Sequence, residues 1–170
     1  MDKLVGATVF FRGKGIIARI IQFGTLFQKR DKGFFRFSKY NHVGTVHEDN
    51  GTLMLLEAKY PRITSKPLCD VLNSTKDETL IKEVSDYYKG ALAHNIDNFT
   101  AKCKSYIGKR YSVNSAIASG IDFPIDWKSS KGVHCSCLSA ILYKEAGLLR
   151  QSYEENEATP DDILAFRFLK

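Results

Sequence analysis

Val133-His134-Cys135-Ser136-Cys137-Leu138-Ser139-Ala140-Ile141-Leu142-Tyr143-Lys144-Glu145-Ala146-Gly147 is the stretch on which the reading of this chain turns. Gly132 supplies a turn before it. Leu138, Ile141, Leu142 and Ala146 recur at helical spacing, and Gly147 fits the position just past a helix C-terminus. The spacing predicts a partly buried helix with Cys135 in its first turn. Free N–H groups and positive potential gather at that end of a helix and stabilise a thiolate. A cysteine placed there is suited to attack a carbonyl carbon. Cys137 is the rival thiol. Two positions on, it points about 200° around the helix from Cys135, so one site cannot face both. Its neighbour Leu138 argues for a core role for Cys137.

A thiol nucleophile needs a base, and His42 is the candidate. It opens a predicted strand from His42 to His47, with His42, Gly44 and Val46 on one face and Val43, Thr45 and His47 on the other. Asp49-Asn50-Gly51 is a hairpin signal, and Leu53 to Ala58 returns as the partner strand. Glu57 is the lone charge in that apolar return strand, and it falls near the same end of the hairpin as His42. A carboxylate there needs a partner. An imidazole Nδ1–H would satisfy it and leave Nε2 free to take the thiol proton. His47, near the turn, is expected in solvent. A lone histidine in a strand is otherwise a structural residue, and that reading stays open for His42.

Composition bounds the rest. At 170 residues, 44% hydrophobic and 26% charged, the chain matches one ordinary globular domain spanning 1–170. A net charge of +6 permits anionic partners but demands none. The arginine-rich tails and aromatic-basic repeats of nucleic-acid binders are missing, so no nucleic-acid partner is expected. Four cysteines at 69, 103, 135 and 137 read as reduced thiols, because 135 and 137 cannot easily pair on one helical turn. With no signal-like segment and no apolar run long enough to cross a bilayer, a cytoplasmic location is expected.

Other elements follow from spacing. A strand is expected from Ala7 to Phe11, a helix over about 15–28, and an extended piece between Pro61 and Pro67. Residues from Asp77 read as helix on Leu80, Ile81, Val84 and Tyr87 or Tyr88, with Gly90 as a possible break. Ile96, Phe99, Cys103, Tyr106 and Ile107 continue a helical period up to Gly108. The region 112–131 reads as irregular. Thr159-Pro160-Asp161-Asp162 is a capped helical turn, followed by a closing strand from Ile163 to Leu169. The order of helices and hairpin gives an α+β fold. The basic, aromatic run 29–40 (Lys29, Phe34, Phe35, Phe37, Tyr40) reads as a loop beside His42 that can touch a membrane surface or a hydrophobic substrate. A zinc set of His134, Cys135, Cys137 and Cys103 lacks ligand spacing. Gly13-Lys14-Gly15 lacks the rest of a phosphate loop, and no serine-hydrolase elbow occurs.

In order along the chain stand Val9-Phe10-Phe11-Arg12-Gly13, Asn41-His42-Val43-Gly44, Leu56-Glu57-Ala58, Gly108-Lys109-Arg110-Tyr111, Cys135-Ser136-x-Leu138 and Thr159-Pro160-Asp161-Asp162. This ordered set resembles the circularly permuted NlpC-type branch of papain-like cysteine hydrolases, which includes YiiX-like bacterial proteins and poxvirus proteins and reaches the lecithin:retinol acyltransferase group. Nearly the whole chain takes part. The order histidine, glutamate, cysteine is that of the permuted branch. The resemblance implies a small papain-like α+β domain with an antiparallel sheet packed against the cysteine helix. It implies Cys135 as nucleophile, His42 as base, Glu57 as orienter and Tyr111 as a substrate-lining aromatic. One departure is Cys137, where the branch often has an acidic residue. The expected activity is a thiol hydrolase or acyltransferase acting on a peptide, peptidoglycan-like or lipid acyl substrate, with no cofactor. The alternatives are a non-catalytic binding module on the same fold, and a redox or metal role for Cys135 and Cys137.

Overall fold

The computed structural model describes residues 2–13, 39–120 and 133–170, with the backbone alone for 117–120. The expected helix over 15–28 and most of the 29–40 loop lie outside the described residues. At the end of that loop, Tyr40 is buried and packs on Phe10, ring centroids 5.6 Å apart.

Five strands form one antiparallel sheet: β1 (Thr8–Arg12), β2 (His42–Asp49), β3 (Thr52–Ala58), β4 (Ile63–Pro67) and β5 (Glu78–Lys82), in the order β4-β3-β2-β1-β5. The hairpin is built as its residues dictate. Asp49 pairs with Thr52, and Asn50 and Gly51 make the turn with φ of 50° and 76°. Positive φ at both central positions is the turn whose twist matches paired strands, and Asn-Gly adopts it at low cost. Six helices of four or more residues are described: α1 (Leu68–Ser74), α2 (Asp86–His94), α3 (Ile96–Tyr106), α4 (Val113–Gly120), α5 (Cys135–Glu145) and α6 (Pro160–Leu164). The fold is α+β, with the sheet and helices in separate layers.

Strand alternation splits the core. Phe10, Val43, Leu56, Ala58 and Ile63 face one way and pack with Leu138, Leu142 and Tyr143 of α5. Val9, Phe11, Val46 and Leu55 face the other way, with Leu68 and Val71 of α1. Helix α5 is buried from Cys135 to Ala140 and again at Leu142 and Tyr143, so its polar groups need partners. They have them. Ser139 Oγ lies 2.9 Å from Thr45 Oγ1, and the Tyr143 hydroxyl donates to the Gly6 carbonyl at 3.1 Å while meeting the Thr8 hydroxyl. Gly147 follows α5 with φ of 69°, the left-handed position expected past its end.

Four expectations fail. Residues 78–82 are strand, because Leu80 and Ile81 pair with Phe10 and Val9 along the edge of β1, and an open sheet edge outweighs helical spacing. Gly90 sits inside α2 without breaking it; one glycine in a helix costs only about 1 kcal/mol. The region 112–131 is not all irregular, since α4 occupies 113–120. The closing segment is α6 and then a single bridge from Leu169 to Val84 rather than a strand. Its helical turn starts on the expected cap: Thr159 and Asp162 form a reciprocal capping box with Pro160 in the first turn. His47 is also misplaced by the sequence reading. It is buried at 1% exposure, its Nε2 accepting from Ser65 Oγ at 2.9 Å. Among the described residues no helix is long and apolar enough to cross a membrane.

Candidate active site

The site forms where the rim of the sheet meets the N-terminus of α5. Cys135 is the first residue of α5, after His134 as N-cap, and is 4% exposed. His42 opens β2 and Glu57 is the penultimate residue of β3. Gly44 is paired directly with Glu57, so Glu57 lies on the diagonal from His42 on the same face. His42 Nε2 donates to Glu57 Oε1 at 3.0 Å. Cys135 is the second partner of the His42 ring. The three side chains expected to meet are brought together.

The ring is turned opposite to expectation. Nε2 faces the carboxylate, which leaves Nδ1 for the sulfur. Phe11 supports the ring at 5.5 Å between centroids.

Electrostatics favour a charge-separated pair. Burial alone depresses His42, but the Cys135 sulfur and the Glu57 carboxylate outweigh it and raise its pKa to about 9. Burial alone raises Cys135, but His42 and the backbone N–H groups of Val43 and Ser136 outweigh it and hold the thiol below its ordinary range. Burial opposes ionisation of Glu57 as well, yet His42 and Lys59 bring it down to about 2. The opposite behaviour of the other buried thiols is informative. Burial pushes Cys137 and Cys103 up to about 12, and neither has an imidazole partner. Cys137 instead lies 3.5 Å from Asn156 Oδ1 in the core. Cys69 is exposed. Tyr111 is near enough to Cys135 for the sulfur's charge to raise its hydroxyl pKa beyond the effect of burial.

Three participants escaped the sequence reading. Lys59 Nζ contacts the same Glu57 Oε1 at 2.7 Å and lies 5.1 Å over the Phe11 ring. Its signal was its position two residues from Glu57, on the same strand face. His134, considered only as a metal ligand, is fully engaged as a neutral anchor. Its Nε2–H donates to the Ala158 carbonyl at 3.1 Å and its Nδ1 accepts from Ser115 Oγ at 2.8 Å. Burial lowers its pKa to about 4. Asn41 accepts from the Gly13 N–H at 3.0 Å and donates to the Gly13 carbonyl at 2.8 Å, joining the ends of β1 and β2 beside His42.

Comparison with solved structures places the architecture. A crystal structure of the metalloprotein YiiX from Escherichia coli O157:H7, DUF1105, superposes with a TM-score of 0.64 at 17% identity, covering 100% of this chain and 96% of that one. The two chains share a fold. No protein-family profile and no curated protein matches the chain. Among the described residues, no three His, Cys, Asp or Glu side chains are placed to share a metal ion. His134, Cys135, Cys137 and Cys103 do not form a ligand set: both His134 nitrogens are engaged and Cys137 faces Asn156.

Proposed function

We propose that this chain is a papain-like thiol hydrolase or acyltransferase, with Cys135 as nucleophile, His42 as proton carrier and Glu57 as the group that orients and charges His42. The observation that carries the reading is the convergence of Cys135, at a helix N-terminus, with an imidazole whose far nitrogen is 3.0 Å from a buried carboxylate. The YiiX-type fold and the order histidine, glutamate, cysteine support it.

In this reading the Cys135 thiolate attacks the carbonyl carbon of an ester or amide. The new oxyanion is met by first-turn backbone N–H groups of α5, where preorganised donors act most strongly. The tetrahedral adduct collapses, His42 Nδ1–H protonates the leaving amine or alcohol, and an acyl-thioester remains on Cys135. His42, now neutral, draws a proton from water or another acceptor, which attacks the thioester and frees the thiolate. Glu57 stays ionised throughout, held so by His42 and Lys59. Tyr111 lines the site beside Cys135. The substrate is a peptide or peptidoglycan-like amide or a lipid acyl group.

Acyl probes carrying ester, amide and thioester warheads, followed by site-resolved mass spectrometry, test the reading. Cys135 should be the modified residue, and Cys135→Ala and His42→Ala should abolish the adduct at neutral pH. Cys137→Ala should keep the adduct and cost on the order of 1 kcal/mol of stability for the lost core group. A Cys135→Ala protein that still forms the acyl adduct on Cys137 would transfer the nucleophile role.

A further inference from the structure

Gly44 stands in the interior of an eight-residue strand, where glycine weakens pairing relative to alanine. Its backbone does not call for glycine. The register runs unbroken on both sides, from Val9 to Gly44 and from Gly44 to Glu57, and its φ is ordinary for a strand. The reason lies in the space above it. A Cβ on Gly44 would meet Glu57 Cγ at 3.0 Å, Leu55 Cδ1 at 2.9 Å and Leu55 Cγ at 3.1 Å. Neither neighbour can easily yield. Leu55 is fully buried, and Glu57 is tied by its Oε1 to both His42 and Lys59.

The path of Glu57 explains why the gap matters. Glu57 leaves β3 directly opposite Gly44, but its target, His42, is two residues along β2 on the same face. The side chain must cross above position 44. We propose that Gly44 is a positioning residue: its missing side chain is the gap through which the Glu57 carboxylate reaches across β2 to His42. The proposal rests on the thiol-nucleophile reading, because its effect is registered at Cys135. The charged and titratable groups around the His42–Cys135 pair among the described residues are Glu57 of β3, Lys59 just past the end of β3, and Tyr111, whose hydroxyl feels the Cys135 charge.

The test is the pH dependence of Cys135 alkylation by iodoacetamide, resolved from exposed Cys69 by mass spectrometry. Wild type, Gly44→Ala, Glu57→Gln and the double variant are compared. Wild type should react well below the ordinary thiol pKa of 9.0. Gly44→Ala should move the profile up by about one pH unit, roughly tenfold slower alkylation on its rising limb. In the Glu57→Gln background the alanine should add little, since the charge whose placement it disturbs is already gone. Leu55→Ala should keep the wild-type profile. Gly44→Ala/Leu55→Ala removes the clash with Leu55 alone and should keep the shifted profile.

A folded Gly44→Ala with the wild-type profile overturns the proposal while leaving the thiol reading intact, provided Glu57→Gln is shifted. A return to the wild-type profile in Gly44→Ala/Leu55→Ala overturns it too, as does failure of both alanine variants to fold, which would make Gly44 a folding glycine. A wild-type profile at the ordinary thiol pKa, unchanged by Glu57→Gln, sinks the parent reading and the proposal with it.

Discussion

Glu57 carries two cations on one carboxylate oxygen, His42 Nε2 at 3.0 Å and Lys59 Nζ at 2.7 Å. The two contacts do different work. Lys59 is half exposed, so water screens its share, whereas His42 and Glu57 face each other in the interior. Replacing Glu57 with Gln keeps an acceptor for the ring but removes the charge that stabilises imidazolium. His42 should then lose its proton at lower pH than about 9, and the Cys135 thiol should rise toward its ordinary value. We expect the acylation rate to fall roughly ten- to a thousand-fold, because the ion pair forms before attack. The alkaline limb of the rate should also move to lower pH. A rate–pH curve that keeps its alkaline limb in Glu57→Gln would reduce the carboxylate to a packing role.

At the scale of elements, α5 is held to the rest of the molecule at its first turn as firmly as along its length. The Ala158 carbonyl accepts from His134 Nε2–H and from the Ser136 hydroxyl at 2.7 Å. Ser115, at the start of α4, closes the other side of the His134 ring. This anchor fixes the N-terminus that presents Cys135. His134→Ala leaves the half-buried Ser115 hydroxyl without its ring partner and the buried Ala158 carbonyl with the Ser136 hydroxyl alone. Such an orphan costs about 1–3 kcal/mol, before the loss of packing. Urea denaturation should show that loss at pH 7. The loss should shrink on acidification. The His134 pKa is lowered in the folded state, so its neutral form contributes stability that is present above the ordinary 6.5 and lost as pH falls through about 4. A pH-independent difference between the two proteins would show that His134 packs without titrating.

At the scale of the whole molecule, proton bookkeeping sets the shape of stability against pH. His42, raised, contributes stability present below its ordinary 6.5 and lost as pH rises through about 9. Cys135, lowered, contributes stability present above its ordinary 9.0 and lost as pH falls through its folded value. Between these bounds the slopes cancel, since folding has only moved one proton from sulfur to nitrogen. Below 6.5 the unfolded chain protonates His42, His47 and His134, while burial holds the folded His47 and His134 rings below their ordinary range and the folded His42 keeps its proton. Glu57 adds the same sign, present above its ordinary 4.5 and lost as pH falls through about 2. The urea midpoint should therefore fall on the acid side of 6.5, with a net proton uptake on unfolding there. A midpoint that stays flat below pH 6.5 would mean that the folded Cys135–His42 pair holds two protons there and that the buried histidine rings protonate as freely in the folded chain as in the unfolded one.

Local chemistry was readable from residues alone wherever a contact is local. Asn50-Gly51 sets the hairpin and hence its register, Thr159 to Asp162 sets a capped turn, and the apolar spacing after Cys135 sets a helix with the thiol in its first turn. The hairpin also put Glu57 near His42, because register follows from the turn. Side-chain partners that depend on distant segments were not readable. Residues 78–82 have a helical period and become strand because β1 offers an open edge. His47 looks like a turn-proximal surface residue and is buried because β4 brings Ser65 to it. Which His42 nitrogen faces the sulfur, and that Cys137 points to Asn156 instead, depend on how α5 docks across the sheet. Periodicity and turn chemistry act over a few residues, whereas burial and hydrogen-bond partners belong to surfaces that exist only after the layers have packed.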